Sequence, residues 1–138
     1  MTRLSMIAMT CWLASCAVDD EPPLPALCLS PIAQYTVHMV WGAGDCVVTD
    51  GDLGFYVSEE GGDWVAGSPD WGMLGYAEVV RDGAACTLSL TLAGAHGEML
   101  WLDLNAANQT GSGQFRILAA DGGTCLHTFT VDHFDYQR

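Results

Sequence analysis

A chain of 138 residues, half of them hydrophobic, has the size and composition of one globular domain rather than a disordered segment. Seventeen acidic residues stand against four basic ones, all arginine (Arg3, Arg81, Arg116, Arg138), for a net charge of −13. A surface this acidic repels phosphate backbones and anionic head groups, which argues against nucleic-acid binding and against membrane attachment through a basic patch.

The chain opens on Met1-Thr2-Arg3, a short positive segment, followed by an apolar run from Leu4 to Leu13. That run is too short to span a bilayer, which needs roughly 20 apolar residues, and it has the build of an export signal. It ends in Leu13-Ala14-Ser15-Cys16, which resembles the bacterial lipobox, the site where signal peptidase II cleaves before the cysteine. The resemblance implies a signal peptide over residues 1–15. It also implies a mature chain that begins with Cys16 carrying a thioether-linked diacylglycerol and an acylated amino terminus. Several acyl chains on one residue anchor a protein firmly, whereas one chain binds only marginally. By the same resemblance the expected location is the cell envelope, lipid-anchored and facing the periplasm or the cell surface. Ala17, where an aspartate would favour inner-membrane retention, inclines the expectation toward the outer membrane.

Residues 16–32 are expected to form a tether. Asp19-Asp20-Glu21 is a charge run, and Pro22, Pro23, Pro25 and Pro31 stiffen the segment and discourage helix. A β domain is expected over 33–138. Its glycine-bearing turns recur about every ten residues, the rhythm of an all-β barrel or sandwich. Between them lie eight candidate strands, at 34–41, 52–59, 63–67, 73–81, 85–93, 97–105, 112–119 and 124–132.

In 34–41, Tyr35, Val37, Met39 and Trp41 alternate with polar Thr36 and His38. The clearest strand is 85–93, with Cys86, Leu88, Leu90 and Leu92 on one face and Thr87, Ser89 and Thr91 on the other. Segment 97–105 is apolar on both faces, with Leu100, Leu102 and Leu104 opposite Met99 and Trp101. In the last segment Cys125, Phe129 and Val131 share a face with His127. Short connections make each strand pair with the next, and closing the meander hides its edges. The expected fold is therefore all-β, a small antiparallel up-and-down barrel of about eight strands, resembling lipocalins in architecture alone. The alternative is a two-sheet β-sandwich.

Six cysteines divide by position: Cys11 lies in the signal, Cys16 takes the lipid, and Cys28, Cys46, Cys86 and Cys125 remain. An even set in an oxidising compartment reads as two disulfides, and the absence of a Cys-x-x-Cys pair argues against zinc or redox use. In a closed meander Cys46, after the first strand, and Cys125, opening the last, share one end and neighbouring strands; Cys28 and Cys86 share the other end. A sandwich would also permit Cys28–Cys46 with Cys86–Cys125.

No nucleophile elbow, metalloprotease helix or phosphate loop occurs, so neither catalytic residues nor a cofactor are expected. Gly111-Ser112-Gly113 reads as a turn, and Asp50-Gly51-Asp52 as an Asp-Gly hairpin turn rather than a calcium loop. His127, His133 and Asp135 are expected on one strand face. The first two lie six positions apart, about 20 Å along a strand, too far to share a zinc ion held by ligands at about 2 Å. No metal site is expected.

The segment most suited to binding interleaves aromatics with carboxylates: Glu59, Glu60, Asp63, Trp64, Asp70, Trp71 and Tyr76. Protein interfaces concentrate Trp and Tyr, and sugar-binding surfaces set flat aromatics beside acids. Three functions follow as expectations. The first is a non-catalytic envelope lipoprotein whose barrel binds an envelope protein or small ligand, or serves structurally. The second is an inhibitor of an envelope hydrolase such as a lysozyme or protease, because small disulfide-bonded lipoprotein barrels include such inhibitors and an acidic surface suits a basic target. The third is a hydrolase using paired carboxylates.

Overall fold

Eight antiparallel strands, each hydrogen-bonded to the next and the last to the first, form one closed barrel in the computed structural model, which describes residues 24–118 and 122–138. The expected signal segment, Cys16 and the tether as far as residue 23 lie outside the described residues. The strands are β1 (Ala33–Gly44), β2 (Gly51–Glu60), β3 (Asp63–Ser68), β4 (Met73–Asp82), β5 (Ala85–Gly94), β6 (Met99–Asn105), β7 (Thr110–Leu118) and β8 (Thr124–Gln137). A short helix, α1 (Ala26–Leu29), precedes them. The up-and-down barrel is thus the observed fold, and the sandwich is set aside. No helix among the described residues is long and apolar enough to cross a membrane.

Alternation decides what faces in. Tyr35, Val37 and Met39 of β1 are buried, as are Leu53, Phe55 and Val57 of β2, and Cys86, Leu88, Leu90 and Leu92 of β5. Leucines pair directly across β5 and β6 (Leu88 with Leu104, Leu90 with Leu102, Leu92 with Leu100), building an apolar wall. Small residues flank that wall. Gly75 and Ala77 of β4 lie beside Leu92 and Leu90, and Gly111 and Gly113 of β7 lie beside Leu104 and Leu102. Across the barrel, Tyr35 stacks on Phe55 with centroids 4.7 Å apart and on Tyr136 at 5.6 Å. The interior is filled by side chains.

Gly111-Ser112-Gly113 is not a turn: the turn precedes it, and all three residues belong to β7. The glycines are there for close packing, since a Cβ on Gly113 would come within 2.5 Å of the Phe129 ring. The Asp-Gly reading of the first hairpin also changes. The loop runs over 45–50, and Gly51 already pairs with Met39 in the ladder. Asp50 instead braces the loop, its carboxylate accepting from the Trp41 backbone N–H at 2.9 Å.

The packed chain also begins earlier than the expected boundary at 33. Leu27 and Cys28 are buried in the core, and the Arg138 guanidinium donates to the carbonyl of Ser30 at 3.1 Å. A cationic group at the end of a helix is favourably placed, because the last carbonyls lack partners there.

The connections sort into two ends. The entry end carries α1 and the turns β2–β3, β4–β5 and β6–β7; the far end carries the loops β1–β2, β3–β4, β5–β6 and β7–β8. Each end holds one disulfide. Cys28–Cys86 ties α1 to β5 at the entry end, with Cα atoms 5.8 Å apart. Cys46–Cys125 ties the β1–β2 loop to β8 at the far end, with Cα atoms 5.1 Å apart.

The seam between β8 and β1 contains two register shifts, one between His38 and Met39 and one between Trp41 and Gly44. At the first, β8 carries the extra residue: His38 pairs with His133 and Met39 with Val131, leaving Asp132 bulged out. Bulges bend strands and deepen twist, which helps a sheet close.

Candidate functional site

The aromatic and acidic residues expected to form one surface are distributed over both ends and one side. Glu59, Glu60, Asp63 and Trp64 surround the β2–β3 hairpin at the entry end, where Glu59 pairs with Trp64 and Glu60 with Asp63. That hairpin turns through Gly61 (φ 61°) and Gly62 (φ 92°), left-handed backbone that glycine adopts without steric cost. Trp64 is half-buried against the core while both glutamates are exposed. Trp71, by contrast, lies at the far end, in a single 3-10 turn (Pro69–Trp71). Tyr76 stands on the outer face of β4, 66% exposed, near Leu74 and Val80. The full length of β3 separates Trp64 from Trp71, so the structure does not bring these residues together.

Trp71 closes the far end instead. Its ring lies 5.1 Å from Phe115, which is 6.1 Å from Trp41. Trp41 in turn meets Phe129 edge-on at 5.2 Å and His127 at 5.4 Å. The indole N–H of Trp41 donates to the Thr49 carbonyl at 2.7 Å, so its polar end is satisfied. Buried His127 belongs to this plug. The Cys46 N–H donates to its Nδ1 and its Nε2 meets the Gly42 carbonyl, each at 3.2 Å. Nδ1 accepts, so Nε2 carries the proton. This histidine is a structural brace for the loop that holds Cys46.

Two grooves formed by the described residues lie along the outer face. One of about 250 Å³ lies over Gly54, between Thr36, Tyr56 and Asp70. Another, of about 480 Å³, runs across β6, β7 and β8 between Trp101, Gln114 and Thr130. Trp101, the apolar outward residue of β6, is covered in part by Arg116, whose guanidinium carbon lies 5.8 Å from the ring centroid. Beside it the Ser89 hydroxyl donates to Asp103 at 2.7 Å.

The expected sharing of one face by His127, His133 and Asp135 fails at the bulge. Asp132 inserts one residue, so His127 points inward, whereas His133 and Asp135 are exposed. The same bulge creates a cluster that sequence reasoning missed. His133 comes directly opposite His38 of β1, and their rings stack at 5.2 Å, 9° from parallel. Both Nδ1 atoms reach one oxygen of Asp132, each at 2.9 Å. Asp52 of β2 is the ladder partner of His38 on its other side. The His38 hydrogen bond lowers the Asp132 carboxyl most; desolvation opposes it, and the charges of His38 and His133 with the His133 hydrogen bond add to the lowering, so the group stays below its usual range. A signal for the cluster was present. The inward apolar residues Phe129 and Val131 are followed by Phe134 and Tyr136, a spacing of three where alternation demands two.

Comparison of the chain with family models, curated proteins and solved structures found no match.

Proposed function

We propose that the chain is a non-catalytic envelope lipoprotein, anchored through lipid on Cys16, whose barrel presents its outer face to a protein partner. The filled interior carries this reading. The apolar rows of β1, β2, β5 and β6 and the aromatic plug at the far end occupy the space in which a carrier barrel would hold its ligand. Grooves on the outer face and exposed side chains such as Tyr76 and Leu74 leave contact at the surface as the means of recognition. Pairing of all four later cysteines fits an oxidising compartment, which is where the lipobox resemblance would deliver the chain. The carboxylate-hydrolase reading loses support because the acid-rich loops, with Glu59 and Glu60 at one end and Asp70 at the other, do not meet.

The acidic surface favours a basic partner, so inhibition of a cationic envelope hydrolase is the narrower form of the same reading. The test is affinity capture of the lipidated protein from its own envelope, with mass spectrometry of the N-terminal peptide. The expected result is a diacylglyceryl and acyl mass on Cys16, lost in Cys16→Ser, and one stoichiometric co-purifying protein. A precursor processed normally in the presence of globomycin, with no acyl mass on Cys16, would remove the anchor. Recovery of no partner would remove the interaction.

A further inference from the structure

We propose that His38, Asp132 and His133 form a binding site for a divalent transition metal of the zinc type on the outer face of the β1–β8 seam. The side-chain donor atoms lie within 4.8 Å of one another. A tetrahedral zinc ion, with bonds of about 2.0–2.2 Å, holds its ligand atoms roughly 3.3 Å apart. The donors therefore need only small rotations to reach coordinating positions. The two imidazoles are already held parallel and facing the same carboxylate oxygen. Strand pairing fixes this convergence: the bulge turns both Asp132 and His133 outward, and the ladder sets His38 beside them.

The donor set chooses the ion. Two imidazole nitrogens and one carboxylate oxygen suit zinc and its neighbours, whereas calcium takes six to eight oxygens. Three protein ligands leave a fourth position for water or for Asp52, which pairs with His38 across β1–β2. On binding, each neutral ring moves its proton from Nδ1 to Nε2 and presents the Nδ1 lone pair, so no proton is lost from the neutral form. A protonated ring must release one, so affinity falls as the histidines charge. The titratable groups around the site are Asp52 on β2, His38 on β1, and Asp132, His133 and Asp135 on β8. The carboxylates and the net charge of −13 draw cations toward this face.

The test is titration of the purified, oxidised protein with zinc chloride by calorimetry, paired with 15N detection of the imidazole nitrogens. The expected result is one zinc per chain, with Nδ1 of both His38 and His133 shifting on loading. His38→Gln, His133→Gln and Asp132→Asn should each weaken binding by more than about tenfold. His96→Gln, at an exposed turn outside the cluster, should leave it unchanged. The proposal is overturned by an absence of zinc binding, by binding that survives His38→Gln and His133→Gln, or by Nδ1 resonances unmoved in the wild-type protein. The last readout needs no variant and stands even if one fails to fold.

Discussion

Tyr35 shows how much one residue joins. Its ring lies between Phe55 and Tyr136, and its hydroxyl donates to the Pro31 carbonyl at 2.7 Å, fastening the segment before β1 to the core. Tyr35→Phe keeps the stack and leaves that carbonyl without its partner. The expected loss is about 1 kcal/mol in urea unfolding. Burial, aided by the charge of Tyr136 and opposed by Arg138, pushes the Tyr35 hydroxyl well above the usual tyrosine range. A folded value above the unfolded one means that stability is complete below the unfolded pKa, about 10, and is lost as pH rises beyond it. The ultraviolet titration difference between wild type and Tyr35→Phe should accordingly stay flat through that pH. Glu98 works in the opposite direction. Its carboxylate accepts its own backbone N–H and that of His96, the latter at 2.8 Å, and these bonds, helped by the His96 charge, hold its pKa below the usual range. This contribution is present above the unfolded glutamate pKa, about 4.3, and disappears as pH falls through the depressed folded value. The protection factor of the His96 amide, its exchange measured against the intrinsic rate at each pH, should therefore fall in acid in the wild type. In Glu98→Gln it should be lower at neutral pH and show no such step.

Among the elements, β8 is the one whose sequence must be read twice. From Thr124 to Val131 it alternates as any half-buried strand does; at Asp132 it slips by one, and Phe134 regains the interior. Deleting Asp132 makes β8 alternate strictly, keeps Phe134 and Tyr136 turned inward and keeps His133 opposite His38, so what is lost is the bend that the bulge gives the seam. The expected cost is about 1 kcal/mol, against about 3–5 kcal/mol for Phe134→Ala, whose ring is 1% exposed. Deleting Val47, fully exposed in the β1–β2 loop, should likewise cost little, and the three denaturation midpoints compare directly. All eight strands and the two disulfide partners were legible because each rests on a local signal, either the two-residue alternation or the position of a cysteine in the meander. What escaped depends on neighbours that sequence does not name. Gly111 and Gly113 look like turn residues until Phe129 is seen to fill the space above Gly113. Trp64 and Trp71 lie seven positions apart in sequence but at opposite ends of a strand. His38 and His133 lie far apart in the chain and meet only because the barrel closes with a bulge between them.

At the scale of the molecule, the barrel is apolar within and polar without, the reverse of a membrane-spanning barrel, whose outward band faces lipid. A closed sheet of this kind has one joint that sequence-adjacent hairpins cannot make, the β1–β8 seam, and the two disulfides act on it unequally. Cys46–Cys125 spans 79 residues and sits at the seam, where the Asp45 N–H also meets the Leu126 carbonyl and the Asp45 carboxylate accepts from the Leu126 N–H. Cys28–Cys86 spans 58 residues and secures α1 beneath the entry end on β5, three strands from β8 and four from β1 along the sheet. Chain entropy assigns loops of these lengths about 4 kcal/mol each, and because the loops overlap the two contributions do not add. The similar entropic terms predict similar losses of global stability, about 2–5 kcal/mol, for Cys46→Ser/Cys125→Ser and Cys28→Ser/Cys86→Ser. Their local consequences should differ. Without Cys28–Cys86, amide exchange should accelerate in residues 24–30 while the strands retain their order of protection. Without Cys46–Cys125, the β1 and β8 amides beyond Met39 and Val131 should lose protection first, because the seam then opens from the far end. If that variant kept its seam amides as protected, relative to the other strands, as the wild type does, the closing role of the bond would be refuted, and the hydrogen-bonded ladder alone would be holding the barrel shut.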